Sequence, residues 1–454
     1  MKPLVIIHGW SDVADSFLPL AEAIESLGHR SVEHLFLGNY VSLDDDVQML
    51  DLVRALSKAW SDKRLPTASK SVDVVIHSTG GLVIRDWLET EYVTAGLKPP
   101  LNNLVMLAPA NFGSPLAHKG RALYGRVLKG FSARKRFQTG THILNALEMA
   151  SPYTWHLAQA DRFGSNTFSA TGVRTTVIVG NTGYGGISSL ANEPGSDGTV
   201  YVATANLDCA WLAVDFPGSG RNPQLKAARK SKGETAFLVL DGLNHSTVAL
   251  KGDVDDSDSV LSHIVSALDI SNADGFRHWV DVCSEKTRLV MDRYSGSRKD
   301  HKHGFQNTVM RVRDDEGFAV TDYVVEFYGE WGVRQNDTMA ERVNDEALTK
   351  VHAYKGDASY RSFMIDCTNL YKIIDRENKP LRISLSAMPD FNDDKNMVGY
   401  CSFGADDIGE IKLSPDAVKE LFVPNRTLFI EITLKRRQKE ELFRIRNKAE
   451  FMEQ

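Results

Sequence analysis

The sequence predicts an α/β protein: a doubly wound, mostly parallel sheet of about six strands, followed by a smaller β-sandwich-like domain. Three observations carry this. Six short apolar runs punctuate the first 240 residues. Helical patterns fall between several of them, as right-handed strand–helix–strand crossovers require. Beyond about residue 272 strand-like runs follow one another without a clear alternation of helices, the pattern of antiparallel β structure.

The six runs are Leu4–Ile7, Ser31–Leu37, Val72–Ile76, Leu104–Leu107, Thr175–Val179 and Ala236–Leu240. They are apolar on consecutive residues, as in strands covered on both faces. Ser16–Leu27, Asp45–Trp60, Gly81–Tyr92 and Ser257–Leu268 read as helices. The segment from about 114 to 165 breaks the alternation. Between Ser114 and Phe163 it holds eight basic residues and only two acidic ones, Glu148 and Asp161. Leu123, Tyr124, Val127, Leu128 and Phe131 interleave with Arg121, Arg126 and Lys129, so the segment reads as a basic amphipathic insertion, a candidate lid. A helix, Phe276–Tyr294, leads to the polar stretch Ser295–Gly304. Strands are then expected at Thr308–Arg313, Val320–Tyr328, Leu381–Ala387, Val398–Phe403, Glu410–Leu413 and Thr427–Leu434. The expected organisation is therefore a catalytic domain over 1–272, a helical linker over 273–304 and a β-rich domain over 305–454.

Composition narrows the function. The 454 residues are 42% hydrophobic and 25% charged, with a net charge of −6, so no global basic field exists to hold nucleic acid. The four cysteines, Cys209, Cys283, Cys367 and Cys401, are scattered and lack zinc-site spacing. The four apolar residues after Met1-Lys2-Pro3 are too few for a signal-peptide core, which gives the expectation of a cytoplasmic protein, or one exported by a signal-independent route.

The strongest chemical signal is Ser71–Arg85, SVDVVIHSTGGLVIR. A β-rich run stops at His77-Ser78-Thr79-Gly80-Gly81 and a helix starts at once, which is a nucleophile elbow. The serine projects above the sheet, and N–H groups at the helix start point at a developing oxyanion. A serine nucleophile needs a base, and the base needs an orienting acid. Such elbows take them later in the chain, in the order acid, then histidine. Asp197 lies in a loop after the fifth run and His245 in a loop after the sixth; Asp208 and Asp241 are alternatives for the acid. The loop His8-Gly9-Trp10 ends the first run. The backbone N–H groups of Trp10 and Thr79 are the candidate oxyanion donors.

At these residues the chain resembles the α/β-hydrolase superfamily, and within it bacterial lipases and the lipase-like esterases that deacylate membrane lipid anchors. The matching pieces are Ile7-His8-Gly9-Trp10, His77-Ser78-Thr79-Gly80-Gly81, Leu107–Pro115, Ser196-Asp197-Gly198 and Asn244-His245-Ser246. They span roughly residues 3–270. Two departures stand out. Ile76 occupies the place of the usual Gly or Ala, and Ala110-Asn111 replaces the usual histidine before Gly113-Ser114. The resemblance implies a carboxylic ester hydrolase working through an acyl-enzyme. The basic insertion points to lipids, as in a lipase or a phospholipase A, and to transient contact with a membrane or micelle surface. The alternatives are a soluble short-chain carboxylesterase or thioesterase, an antibacterial phospholipase effector, or an interaction protein on an inactive scaffold.

No cofactor is expected. A structural calcium at Asp253–Asp258 is the one ion left open, although the run lacks the glycine and the glutamate of an EF-hand loop (Asp258 and Ile264 stand there). His301 and His303 read as linker residues. Phe327, Tyr328 and Trp331 read as core residues, or as a membrane-contacting loop.

Overall fold

The computed structural model describes residues 2–8, 17–26, 32–37, 44–117, 140–217, 222–251, 257–296, 301–329, 338–387 and 410–435. Trp10, the basic run around Arg134–Arg136, Asp253–Asp256, Trp331, Val398–Phe403 and Cys401 lie outside these residues.

Each of the six apolar runs forms a strand: β1 (Leu4–His8), β2 (Val32–Phe36), β3 (Val72–His77), β4 (Leu101–Leu107), β5 (Arg174–Gly180) and, last in the sheet, Ala236–Leu240. Every residue of β3, β4 and β5 is buried, because helices cover both faces of the sheet. Those helices include α1 (Leu18–Ser26), α2 (Met49–Asp62) and α3 (Gly80–Leu88), with Ser257–Leu268 and Ala273–Tyr294 after the last strand. The sheet order is β2-β1-β3-β4-β5 and then Ala236–Leu240, all parallel. The chain moves from β1 out to the edge and returns on the other side of β1. The switch point therefore lies between β1 and β3, and in open sheets of this kind ligands bind at the carboxyl ends of the strands there. Ile7 pairs with Ile76, so the ends of β1 and β3 lie side by side.

The second half departs from an antiparallel sandwich. It holds a six-stranded mixed sheet and a three-stranded antiparallel one. The mixed sheet contains two strands from the first half of the chain, β6 (Cys209–Phe216) and β7 (Gln224–Lys230). With β8 for Ala236–Leu240, the later strands are β9 (Phe305–Asp314), β10 (Tyr323–Tyr328), β11 (Leu348–Ala353), β12 (Tyr360–Asp366), β13 (Leu381–Ala387), β14 (Glu410–Leu413) and β15 (Arg426–Leu434). The orders are β11-β12-β9-β15-β6-β7 and β10-β13-β14. β15 runs parallel to both of its neighbours, β9 and β6. The helix Pro415–Leu421 carries the chain from β14 in one sheet to β15 in the other, so β15 is not bound to the antiparallel direction of a hairpin. A second helix, Cys367–Glu377, packs within this half. Phe327 and Tyr328 are buried there, which makes them core residues.

Period-two alternation divides the mixed sheet between two cores. One face, with Phe429, Trp211, Val309 and Tyr360, packs on the first half of the chain. Phe429 is the hub. Its ring makes edge-on contacts with Phe112 at 5.4 Å, Trp155 at 5.2 Å and Phe163 at 6.2 Å. The other face, with Val214, Met310, Val312 and Ile432, packs against the three-stranded sheet.

The described C-terminal part of the insertion is fixed to the core. Arg85 on α3 holds Asp161 through two hydrogen bonds of 2.6 and 3.0 Å, and both side chains are buried. Tyr153 donates to Asp86 at 2.6 Å. Separating a buried ion pair costs about 3–5 kcal/mol, so residues 140–164 belong to the body of the protein and not to a swinging lid.

Two outcomes follow from the shared sheet. Phe429→Ala should destabilise the protein by about 3–5 kcal/mol in urea unfolding; a loss under 1 kcal/mol would show that the aromatic seam is not a true core. A chain ended at residue 272 leaves β6 without β15 and uncovers Trp211 and Phe112. It should lose its cooperative thermal transition, and an intact transition would mean that the halves fold independently.

Candidate active site

The elbow forms because β3 must turn into α3 within two residues. Ser78 takes a left-handed φ of +57° to do so, a conformation costly for a residue with a side chain and held here by its surroundings. Its N–H donates to the Leu107 carbonyl at 3.1 Å, and its own carbonyl accepts from Gly81 at 3.0 Å and Ala110 at 3.3 Å. Gly81 is required sterically: a Cβ there would lie 2.7 Å from Pro109 Cβ. Ile76 is accommodated because a Cβ on Gly80 would stand at an ordinary 3.5 Å from its own. Bulk at position 76 is therefore compatible with the turn. Asn111, in the place of the expected histidine, donates from Nδ2 to the Ala205 carbonyl at 2.7 Å, and its backbone carbonyl accepts from Arg85 at 2.6 Å. It ties the segment after β4 to the chain beyond the acid loop.

The structure brings Ser78, His245 and Asp197 together. Ser78 Oγ lies 3.0 Å from His245 Nε2, and His245 Nδ1 lies 3.0 Å from Asp197 Oδ2. All three are buried, with Ser78 the most open at 7% exposure. The other Asp197 oxygen accepts the N–H groups of Thr199 at 2.9 Å and Val200 at 2.8 Å. These bonds fix the carboxylate plane. The backbone closes the same loop, with His245 N–H donating to the Asp197 carbonyl at 3.0 Å. With Oδ2 accepting at Nδ1, the imidazole holds its lone pair at Nε2, toward the serine.

The alternative acids lie elsewhere. Asp208 accepts from Ser231 Oγ at 2.7 Å. Asp241 is paired with Arg293 and Lys302. Burial works against its charge, but hydrogen bonds from Tyr294, Asn181 and Lys302 outweigh it and hold the carboxyl below its ordinary value. Thr79 caps the N-terminus of α3, and its N–H makes no hydrogen bond among the described residues, as an oxyanion donor requires. Trp10, the second candidate donor, follows the described end of β1.

Several residues at the site were not singled out from the sequence. His77 Nε2 donates to the His245 carbonyl at 2.9 Å. That assigns its proton and leaves Nδ1 to accept from Lys251 Nζ at 3.3 Å. Its ring packs 4.6 Å from that of His245. The stretch 301–304 is also more than a linker. The His301 carbonyl accepts the Gly195 N–H at 2.9 Å. His303 is buried, bonded to Asp366 at 2.6 Å and stacked on Phe305. Phe305 in turn covers Gly195, two residues before Asp197. On the other side of the same loop Glu193 is paired with Lys350 at 2.6 Å. The C-terminal half thus forms the outer wall of the acid loop. No cluster of metal-ligating side chains occurs among the described residues, and no described helix is long and apolar enough to cross a membrane.

Gly195 has φ +76°, and a Cβ on it would stand 2.5 Å from the Phe305 ring. Gly195→Ala should therefore loosen the acid loop. Hydrogen exchange should accelerate at the amides of Thr199 and Val200, which hold the Asp197 carboxylate, while β4 and β5 remain protected. Unchanged exchange would show that the Phe305 contact does not support the loop.

No protein-family model matches this chain, and no curated protein matches it in sequence. Among solved structures it resembles phospholipase PlaB from Legionella pneumophila, with a TM-score of 0.78, 23% identity, and coverage of 98% of this chain and 96% of that one. PlaB in complex with thio-NAD gives 0.77, 22%, 99% and 97%. Bacillus licheniformis lipase BlEst2 in mature form gives 0.36 and 15%, covering 58% of this chain and 91% of that one. Over its full length, then, the chain has the fold of the Legionella phospholipase PlaB: an α/β-hydrolase core joined to an additional C-terminal β domain.

Proposed function

We propose that this protein is a serine-dependent carboxylic ester hydrolase that acts on lipids, of the lipase or phospholipase A type. The observation that carries the reading is the chain of two 3.0 Å hydrogen bonds from Ser78 through His245 to Asp197, mounted on an elbow at a sheet switch point. Ser78 Oγ attacks the ester carbonyl as His245 Nε2 takes its proton. The imidazolium then returns that proton to the departing alcohol, leaving an acyl group on Ser78. Water, deprotonated by the same histidine, releases the acid. Asp197 holds the imidazole in place and offsets its transient charge. The N–H groups of Thr79 and Trp10 receive the oxyanion, where losing one such donor typically costs about 10²–10³ in rate.

The lipid substrate is supported from two sides. A structural neighbour over the full chain is by name a phospholipase. The insertion carries apolar residues interleaved with Arg121, Arg126, Lys129 and Arg134–Arg136, a composition suited to anionic headgroups, at about 1 kcal/mol per basic residue near such a surface.

Ser78→Ala should abolish ester hydrolysis and labelling by a fluorophosphonate while leaving thermal unfolding unchanged; retained hydrolysis would refute the reading. Asp197→Asn and His245→Ala should each lower kcat by about 10⁴, and combining either with Ser78→Ala should add little. On vesicles, replacing Arg134, Lys135 and Arg136 by Ser should slow acyl release and weaken its salt dependence, yet spare a soluble short-chain ester. Equal losses on both substrates, or no preference for aggregated lipid, would favour a soluble esterase.

A further inference from the structure

An apolar cavity of about 820 Å³ lies between the mixed sheet and the three-stranded sheet, and neither Ser78, Asp197 nor His245 lines it. Protein interiors are close-packed, and ligand pockets usually measure about 300–1,000 Å³. Its floor is made by Met310, Phe363, Leu385, Leu428 and Ile432, all buried. Its mouth is marked by Leu225 on the edge strand β7, where the side chain is 63% exposed. Most of the lining is aliphatic or aromatic, with Glu410, Glu420, Lys230, Lys412 and Arg426 among its charged members, so its greater part suits hydrocarbon.

Of the basic residues that line the cavity, Arg426 is the one, among the described residues, with a buried nitrogen that lacks a partner. Arg426 begins β15 and shares a face with Leu428, Ile430 and Ile432, which also line the cavity. Its Nε is buried with no hydrogen-bond partner, and its side chain makes no ion pair or hydrogen bond among the described residues. The nearby groups that it influences are the Cys367 thiol and the Tyr371 phenol; Glu420, on the same cavity wall, is solvent-exposed. A buried guanidinium nitrogen without an acceptor is costly, and a carboxylate is its natural geometric match.

We propose that this cavity binds one long-chain fatty-acid anion, with the hydrocarbon tail between the two sheets and the carboxylate on Arg426. The site is separate from the ester-cleaving centre and does not depend on its chemistry. It gives the C-terminal half a lipid-binding role beyond supporting the acid loop.

The test is titration of the full-length Ser78→Ala protein with palmitate carrying ¹³C at the carboxyl carbon, followed by NMR and calorimetry, with hexadecanol as the uncharged comparison. Saturable binding of one palmitate is expected, at least about tenfold tighter than hexadecanol. Arg426→Gln should weaken it by at least about tenfold and abolish the bound carboxyl shift, with Arg426→Lys intermediate. Ile430→Phe should fill the cavity and block binding. Leu225→Trp, at the exposed mouth where folding is not at risk, should do the same. Absence of saturable binding would overturn the proposal, as would affinity unaffected by Leu225→Trp, or hexadecanol binding equal to palmitate. Because the protein used cannot hydrolyse through Ser78, these outcomes are independent of whether the catalytic reading holds.

Discussion

Strand β15 lies parallel between β9 and β6, nine residues paired on one side and eight on the other. This double ladder ties residues 426–434 to β6, 218 positions earlier in the chain. Without it the hairpin β6–β7 would have no sheet to join, and the seam around Phe429 would be exposed to water. The long-range pairing is costly in loop-closure entropy. What offsets that cost is the burial of both faces of β15, one against each half of the molecule. The two halves are therefore one structural unit in the region that matters for the site.

The consequence for chemistry is mechanical. Ser78 is placed by the parallel sheet, in a left-handed conformation that the tight passage from β3 to α3 demands. His245 follows the last strand of the same sheet, and its backbone is held by His77. Asp197 sits on a loop whose inner side meets these elements and whose outer side meets Phe305, the His301 carbonyl and Lys350. The acid is thus positioned by contacts from both halves. A C-terminal domain of this kind is not a detachable appendage, since removing it would strip one wall from the loop that orients the histidine.

The two faces of the mixed sheet are covered by different partners. Odd-numbered residues of β6, β9 and β15 close the aromatic seam over the first half. Even-numbered residues of the same strands turn toward the three-stranded sheet and line the apolar cavity. A one-residue slip of β15 would exchange these sets, placing Phe429 in the cavity and Leu428 in the seam. Register there is fixed by fit on both sides at once.

The parallel sheet and the order of the loops that carry Ser78, Asp197 and His245 are legible in the sequence. Buried parallel strands are written as unbroken apolar runs, and Leu4–Ile7, Val72–Ile76 and Thr175–Val179 were readable for that reason. The elbow at Ser78 was readable because a tight strand-to-helix turn needs glycines at fixed positions. Which of Asp197, Asp208 and Asp241 faces His245 depends on the folded chain, since Asp197 and Asp208 both come after the fifth run and Asp241 after the sixth, and they differ in the distances the fold brings about. It alone decided that β6 and β7 join the second sheet. β7, QLKAARK, is exposed at almost every position and carries no apolar period to announce a strand. It alone made His303 a buried partner of Asp366. Periodicity records which side of an element is covered. It does not record which distant segment covers it, and the acid loop, the aromatic seam and the cavity are all built from distant segments.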